Sequence, residues 1–211
     1  KTTTSSMLAL ALTAAGLEPS FIVGGDLNDI GSGAVWNDQG ELFVVEADES
    51  DGTFLKVGAA TAIVTNLESD HLDYFGDYDA LVQAFTEFLD AVDGPRVVCI
   101  DDPGAAGLAT EVGGCLTYGT TEGADYRVVG INSSRYASNF EVIRGGKRIT
   151  KCDLPVPGIH NVLNATAAFA TAVEMGADPD LVTTALARFA GVARRFEFRG
   201  EDQGVVYVDD Y

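Results

Sequence analysis

Short apolar runs rich in valine and isoleucine alternate with stretches of helical period along the first 120 or so residues. A strand buried on both faces reads as an unbroken apolar run, and an amphipathic helix reads as a repeat near 3.6, so this alternation predicts parallel strands joined by crossover helices. The strands fall at 21–24, 42–46, 62–66, 96–100 and 115–118. A first helix is expected around the run Ser6-Met7-Leu8-Ala9-Leu10-Ala11-Leu12. Over 78–92, Leu81, Val82, Phe85, Phe88, Leu89 and Val92 recur on one helical face, with the aromatics there for packing. After Glu122 the pattern switches: 126–131, 140–143 and 148–151 alternate polar and apolar residues, and Arg144-Gly145-Gly146-Lys147 reads as a turn. This predicts a small antiparallel sheet, appended near 122–152. Helical period returns over 162–175 and 180–189, the latter with Asp178 and Pro179 as a capped start. The stretch 196–210 reads as two strands about a turn at Asp202-Gln203-Gly204. The expected fold is a three-layer α/β domain, its mostly parallel central sheet flanked by helices, with the small antiparallel sheet as an appendage.

Composition narrows the partners. The 211 residues are 46% hydrophobic, enough for one substantial core. Thirteen basic against 32 acidic residues give a net charge of -19, a field that repels nucleic acid and anionic membrane surfaces. A polyanionic substrate therefore needs a local cluster of cations or metal ions. Cys99, Cys115 and Cys152 are widely spaced with no C-x-x-C pattern, which suggests neither a disulfide framework nor a zinc site and suits a reducing cytoplasm. No apolar run approaches the roughly 18 residues needed to span a bilayer. Lys1, the apolar run and Thr13-Ala14-Ala15 also resemble a short secretory signal. Five hydroxyl residues directly after the lysine, and the lack of an initiator methionine, argue against that and for a piece of something longer.

Several clusters suit phosphate chemistry. Lys1-Thr2-Thr3-Thr4 before an apolar helix matches the second half of G-x-x-x-x-G-K-[ST], whose lysine reaches the terminal phosphates while the hydroxyl holds magnesium. A lysine and threonines that merely cap a helix read the same way. Leu42-Phe43-Val44-Val45 runs into Glu46-Ala47-Asp48-Glu49-Ser50-Asp51, four carboxylates in six residues beyond the carboxyl end of a strand, where open α/β sheets bind ligands. A solvated acidic loop is the alternative. The next strand opens into Leu67-Glu68-Ser69-Asp70-His71-Leu72-Asp73, which adds an imidazole among carboxylates at the same edge, or else a surface histidine before a helix capped by Asp73 or Asp77. In Pro157-Gly158-Ile159-His160-Asn161-Val162-Leu163-Asn164, two amides three apart share a helical face and suit a purine edge; Asn161 equally suits a helix cap. Arg194-Arg195-Phe196-Glu197 brings paired positive charge, for phosphate or for a salt bridge to Glu197 or Glu201.

Taken in order, K-T-T-T, V-V-E-A-D-E-S-D, T-N-L-E-S-D-H-L-D, G-I-H-N-V-L-N-A, R-R-F-E and V-D-D-Y resemble the central ATPase domain of the Mur ligases over nearly the whole chain. The forms E-A-D-E-S-D and D-H-L-D-Y-F-G-D are most similar to those of the branch that joins L-alanine to UDP-N-acetylmuramate. The resemblance implies a P-loop type domain using ATP and Mg2+. It implies that Lys1 contacts the β- and γ-phosphates, Thr2 ligates the first magnesium and Thr3 lies beside the phosphates. Glu46 would serve the metal site, and His71 would bind a second magnesium near the γ-phosphate. His160, Asn161 and Asn164 would hold adenine, Arg195 would face the phosphates and Asp210 would reach the ribose. Sister ligases carry a carbamylated lysine some fifteen residues beyond the histidine; here Gln83-Ala84-Phe85-Thr86-Glu87 holds no lysine, and Glu87 is the available carboxylate. The implied reaction is amide formation through an acyl phosphate in bacterial cell-wall precursor synthesis. The alternatives are a recycling ligase that attaches a tripeptide to the same sugar nucleotide and a nucleotide switch that forms no amide. The resemblance also implies a UDP-sugar domain before this one and an amino-acid domain after it, so the isolated chain is expected to be inactive.

Overall fold

The computed structural model describes residues 1–195 and 197–210. Phe196 and Tyr211, which end the motif stretches R-R-F and V-D-D-Y, lie outside the described residues. In chain order the elements are α1 (Thr2–Ala14), β1 (Ser20–Leu27), β2 (Ser32–Val35), β3 (Phe43–Val45), a 3-10 turn (Thr53–Lys56), β4 (Ala62–Val64), α2 (Leu72–Phe75), α3 (Tyr78–Asp90), β5 (Arg96–Cys99), α4 (Pro103–Val112), β6 (Leu116–Gly119), β7 (Tyr126–Ser133), β8 (Ser138–Arg144), β9 (Lys147–Leu154), α5 (Ile159–Glu174), α6 (Pro179–Leu186), β10 (Glu197–Asp202) and β11 (Val205–Asp209).

β1 pairs parallel with β3 and antiparallel with the short edge strand β2. A second sheet has the order β4-β5-β6-β7-β8-β9, parallel through β7 and antiparallel beyond it. The expected hairpin therefore forms, but it continues the parallel sheet instead of standing apart: Tyr118 and Gly119 of β6 register with Tyr126 and Arg127 of β7. Its inward residues explain why. Tyr126, Val128, Phe140, Val142, Cys152 and Leu154 are all buried in the same core as α1 and α5, and a separate sheet would leave that face wet. Gly145 and Gly146 both take positive φ, +56° and +75°, as a two-residue hairpin turn of this hand requires. β10 and β11 form the terminal hairpin.

Residue alternation in β5 shows the layering. Val97 and Cys99 face the core shared with α1, α5 and α6, and Val98 faces a second core with Leu81 and Leu89 of α3 and Ala105 and Leu108 of α4. Ala9 and Ala11 of α1, and Ala165, Ala168 and Ala172 of α5, are fully buried, and such small residues let these two helices lie close together. Asp178 caps α6 by accepting from the amides of Asp180 and Leu181, and Asp77 caps α3 through Ala80. No helix of the described residues is long and apolar enough to cross a membrane.

All three cysteines are free thiols. Burial pushes each pKa up, that of Cys152 to about 12, and only Cys115 is partly exposed. At pH 8 a thiol reagent is expected to modify Cys115 alone, slowly, in the folded chain and all three in denaturant; peptide mass mapping of the modified protein checks this.

Candidate nucleotide-binding site

The carboxyl ends of β1, β3 and β4 meet the N-terminus of α1. Thr2, in the first turn of α1, is only 4% exposed, and its hydroxyl donates to Glu46 Oε1 at 2.9 Å. Glu46 directly follows β3, and its other oxygen, Oε2, accepts from the amide of Gly24 in β1 at 2.7 Å. Gly24 admits no side chain here, because a Cβ would stand 2.9 Å from Glu46 Oε2 and 3.2 Å from Thr2 Oγ1. One carboxylate thus ties the helix to both strands.

Lys1 Nζ lies 2.7 Å from Glu49 Oε2 and 3.0 Å from Asp48 Oδ1. Burial works to lower its pKa, but these two partners outweigh burial and hold it above the ordinary value, so the ammonium stays charged through the neutral range. Hydrogen bonds from Ser50 and Lys1 bring Asp48 down to about 2. His71 starts α2 with a left-handed φ of +56°. Its Nε2 is 3.7 Å from both Glu49 Oε1 and Asp70 Oδ2, beyond hydrogen-bond range but close enough for electrostatic coupling once protonated. Glu49 therefore stands between Lys1 and His71. The loop that carries His71 is pinned by Asp102, whose Oδ1 accepts from Leu67 N at 2.9 Å while capping α4 through Ala105 N at 2.8 Å. Arg195 reaches the same place from beyond α6, its Nη2 3.5 Å from Thr2 Oγ1.

Lys1, Thr2, Glu46, His71 and Arg195 are thus brought together, with Thr3 half-buried in the same turn. The base and ribose candidates are not part of that cluster. Asn161, 8% exposed, donates from Nδ2 to the Pro157 carbonyl at 2.8 Å, and Asn164 Oδ1 accepts from the Thr4 hydroxyl at 2.9 Å, tying α5 to α1. One atom of each amide, Asn161 Nδ2 and Asn164 Oδ1, has a protein partner. His160 is exposed in the first turn of α5, and Asp210 is exposed past the end of β11. Glu87 lies on the outer face of α3, bonded to Gln83 at 3.1 Å.

Two cavities flank the cluster. One, of about 620 Å³, has Lys1, Glu46, Glu49, Asp70 and His71 at its mouth and an apolar interior between β3 and β4. The other, about 410 Å³, lies on the far side of Arg195 and is lined by Tyr136, Phe198, Pro157, Val192, Val206 and Val208. Tyr136 and Phe198 meet edge to face at 5.5 Å and 86°. The sequence reading missed this pair, and also Gly24 and Asp102. Two aromatics half-exposed in hairpins were the available signal for the first, and Pro103 after Asp102 marked a helix cap; nothing local marked Gly24.

No group of three or more His, Cys, Asp or Glu among the described residues is placed to hold a metal by itself. One hydroxyl and one carboxylate, Thr2 and Glu46, form a sparse oxygen set. That fits magnesium, which binds through one or two protein oxygens plus phosphates and water.

An α/β sheet that gathers these groups at the carboxyl ends of its strands, with a helix N-terminus aimed at the same point, defines a nucleotide-binding domain of P-loop type. Residues 1–172 match the Mur ligase middle domain, and the chain belongs to the Mur ligase family. It is 49% identical over its full length to UDP-N-acetylmuramate--L-alanine ligase of Kineococcus radiotolerans, covering 45% of that protein. Among solved structures it is similar to UDP-N-acetylmuramate-alanine ligase MurC of Thermotoga maritima, with a TM-score of 0.87 and 31% identity, covering 100% of this chain and 48% of that one. UDP-N-acetylmuramate:L-alanyl-gamma-D-glutamyl-meso-diaminopimelate ligase from Neisseria meningitides gives 0.79 and 31%, covering 92% and 64%. The chain spans less than half the length of the curated relatives it matches.

Proposed function

We propose that these residues form the ATP-handling centre of a ligase that joins L-alanine to the lactyl carboxylate of UDP-N-acetylmuramate. The observation that carries the ATP reading is the Thr2–Glu46–Gly24 set beside Lys1, His71 and Arg195. The acceptor is inferred from the relatives, whose names give L-alanine. In the reaction, the lactyl carboxylate attacks the γ-phosphorus of ATP and ADP leaves. The alanine amine then attacks the acyl carbon and phosphate leaves, with the amine proton passing to solvent or base. Each step builds charge on oxygen.

Lys1 and Arg195 supply positive charge against that build-up. Asp48 and Glu49 pair with Lys1, and phosphate oxygens would compete with them for its ammonium. The Thr2 hydroxyl and the Glu46 carboxylate would hold magnesium, with His71 on the facing loop for a second ion. Bound magnesium supplies Lewis-acid neutralisation of phosphate charge. It also offsets the repulsion between ATP and a chain of net charge -19. The cavity beside Arg195, with Tyr136 and Phe198 at its wall, is of a size and apolarity suited to a nucleobase.

Phosphate release by the full-length protein with UDP-N-acetylmuramate tests the reading, comparing L-alanine, the tripeptide and no acceptor. L-Alanine is expected to stimulate release most. Preference for the tripeptide would instead point to the ligase activity that the Neisseria relative's name carries, and release indifferent to any acceptor would assign a nucleotide switch.

A further inference from the structure

The connection from α6 to β10 carries Arg195 and runs beside the end of β1. Val192 forms an antiparallel bridge with Leu27, and both residues are buried. On either side of the bridge, Asn28 N donates to Gly191 O at 3.1 Å and Ala193 N donates to Asp26 O at 2.9 Å. Gly25 of β1 makes room for this contact, since a Cβ there would stand 2.8 Å from Val192 Cγ1. Arg195 N then donates to Val192 O at 3.1 Å, closing a four-residue turn from which the guanidinium reaches to 3.5 Å from Thr2 Oγ1. Arg194 holds the third position of that turn with a left-handed φ of +61°, where glycine is the easy choice. A residue with a side chain keeps such a conformation only where its surroundings dictate the path.

Two side chains hold the entrance to the turn. The N–H of Ala190 donates to Asp29 Oδ2 at 2.9 Å, and its carbonyl accepts from Asn28 Nδ2 at 3.0 Å. Ala190 is exposed, so water would satisfy both groups equally well, and the need for hydrogen bonds does not explain the pairing. What the pairing adds is a fixed point. The donor and the acceptor of one residue meet an acceptor and a donor on two consecutive residues of another loop, which defines one placement of the chain that leads to Arg195.

We infer that Asn28 and Asp29 are positioning residues for phosphoryl transfer: by clamping Ala190 they fix the turn that aims Arg195 at phosphate bound beside Thr2. This rests on the proposed role of Arg195 as a charge facing the phosphates. Such a group is effective only if it is in place before negative charge develops, and a displacement of about 1 Å can cost about 10²-fold in rate. The clamp belongs to the turn that follows β1, the strand whose Gly24 amide holds Glu46. The carboxylate and the arginine are thereby referenced to the same strand.

Acceptor-stimulated phosphate release by the full-length protein tests the clamp. Arg195→Ala is expected to lower kcat by about 10²-fold or more. Asn28→Asp, which keeps the shape but loses the donor, and Asp29→Ala are each expected to lower kcat by about five- to tenfold, with the KM for UDP-N-acetylmuramate and the thermal midpoint close to those of the parent. Asp29→Asn retains an acceptor oxygen and is expected to recover most of the rate that Asp29→Ala loses. In an Arg195→Ala background, Asn28→Asp and Asp29→Ala are expected to cost less than about twofold more, because the group they aim is gone. Parent-like turnover of both single variants beside an impaired Arg195→Ala overturns this inference alone. So does a loss that repeats in full in the Arg195→Ala background, since the two residues would then act by a route that bypasses the arginine. Near-parental turnover of Arg195→Ala overturns the phosphate-facing role of Arg195, and the clamp with it.

Discussion

Glu46→Ala in the full-length protein is expected to lower turnover by about 10²–10³-fold at saturating ATP, the range for removing one well-placed electrostatic contact from a site that stabilises developing charge. Three geometric facts put the effect at this residue. Its carboxylate accepts from Thr2 and from Gly24, so it fixes the start of α1 against β1. It is half-buried at the carboxyl end of β3, where the field of a magnesium-bound phosphate is least screened by water. And the glycine beside it leaves no room for another side chain to move in. Glu46→Gln separates shape from charge: the amide oxygen keeps one of the two hydrogen bonds while the negative charge is lost. Turnover of the glutamine variant is expected to fall nearly as far, with thermal stability close to that of the parent and a higher magnesium concentration at half-maximal rate. Lys1→Ala is expected to lose a similar factor and to raise the KM for ATP as well. Near-normal phosphate release from the Glu46 or Lys1 variants would sink the site assignment.

The elements that the sequence made legible are those whose burial is written in their own residues. Val97 and Val98 face opposite cores, so β5 must read as an unbroken apolar run, and α3 presents one apolar stripe because only one face is covered. α4 is different. Gly104 and Gly107 dilute the helical signal of Pro103–Val112, and only Asp102 followed by a proline at the first helical position marks it. β2 carries little strand signal because Gly31 precedes it and Gly33 lies within it, and its strand character comes from pairing with β1. The hairpin at 126–154 was visible, but its attachment to β6 was not, since two registered pairs decide it. In the site, the residues marked by type and by their place at a helix start or in a loop came together: Lys1, Thr2, Glu46, His71 and Arg195. For Asn161 and Asn164 the spacing was legible, but the protein groups they meet, the Pro157 carbonyl and the Thr4 hydroxyl, depend on how α5 packs on α1 and on the turn before it.

Phe169→Ala is expected to be the most damaging single truncation of the core, costing about 3–5 kcal/mol, a large share of the roughly 5–15 kcal/mol that holds a domain of this kind together. Phe169 is 1% exposed on α5 and packs edge-on against Tyr126 of β7, with centroids 6.4 Å apart and planes at 72°. How much such a truncation costs depends on how far the neighbours can relax into the void. Here they are pinned. The Tyr126 hydroxyl donates to Glu174, Arg144 pairs with the same carboxylate, and the Arg144 guanidinium sits 4.7 Å from the centroid of the Tyr126 ring. Burial, followed by that Glu174 contact, raises the phenol well above its ordinary pKa, so the hydroxyl stays protonated as a donor throughout the working pH range. With Tyr126 fixed and the alanines of α5 already against α1, the cavity left by Phe169 persists, which favours the upper half of the range. The midpoint of thermal unfolding is expected to drop by about 10 °C or more, and Phe169→Leu by less than half as much. The loss should also reach the nucleotide, because α5 carries Asn164, whose bond to Thr4 braces the first turn of α1 behind Lys1 and Thr2. A Phe169→Ala variant whose denaturant midpoint stays within the equivalent of 1 kcal/mol of the parent would show that α5 is not the pillar between the sheet and the phosphate site.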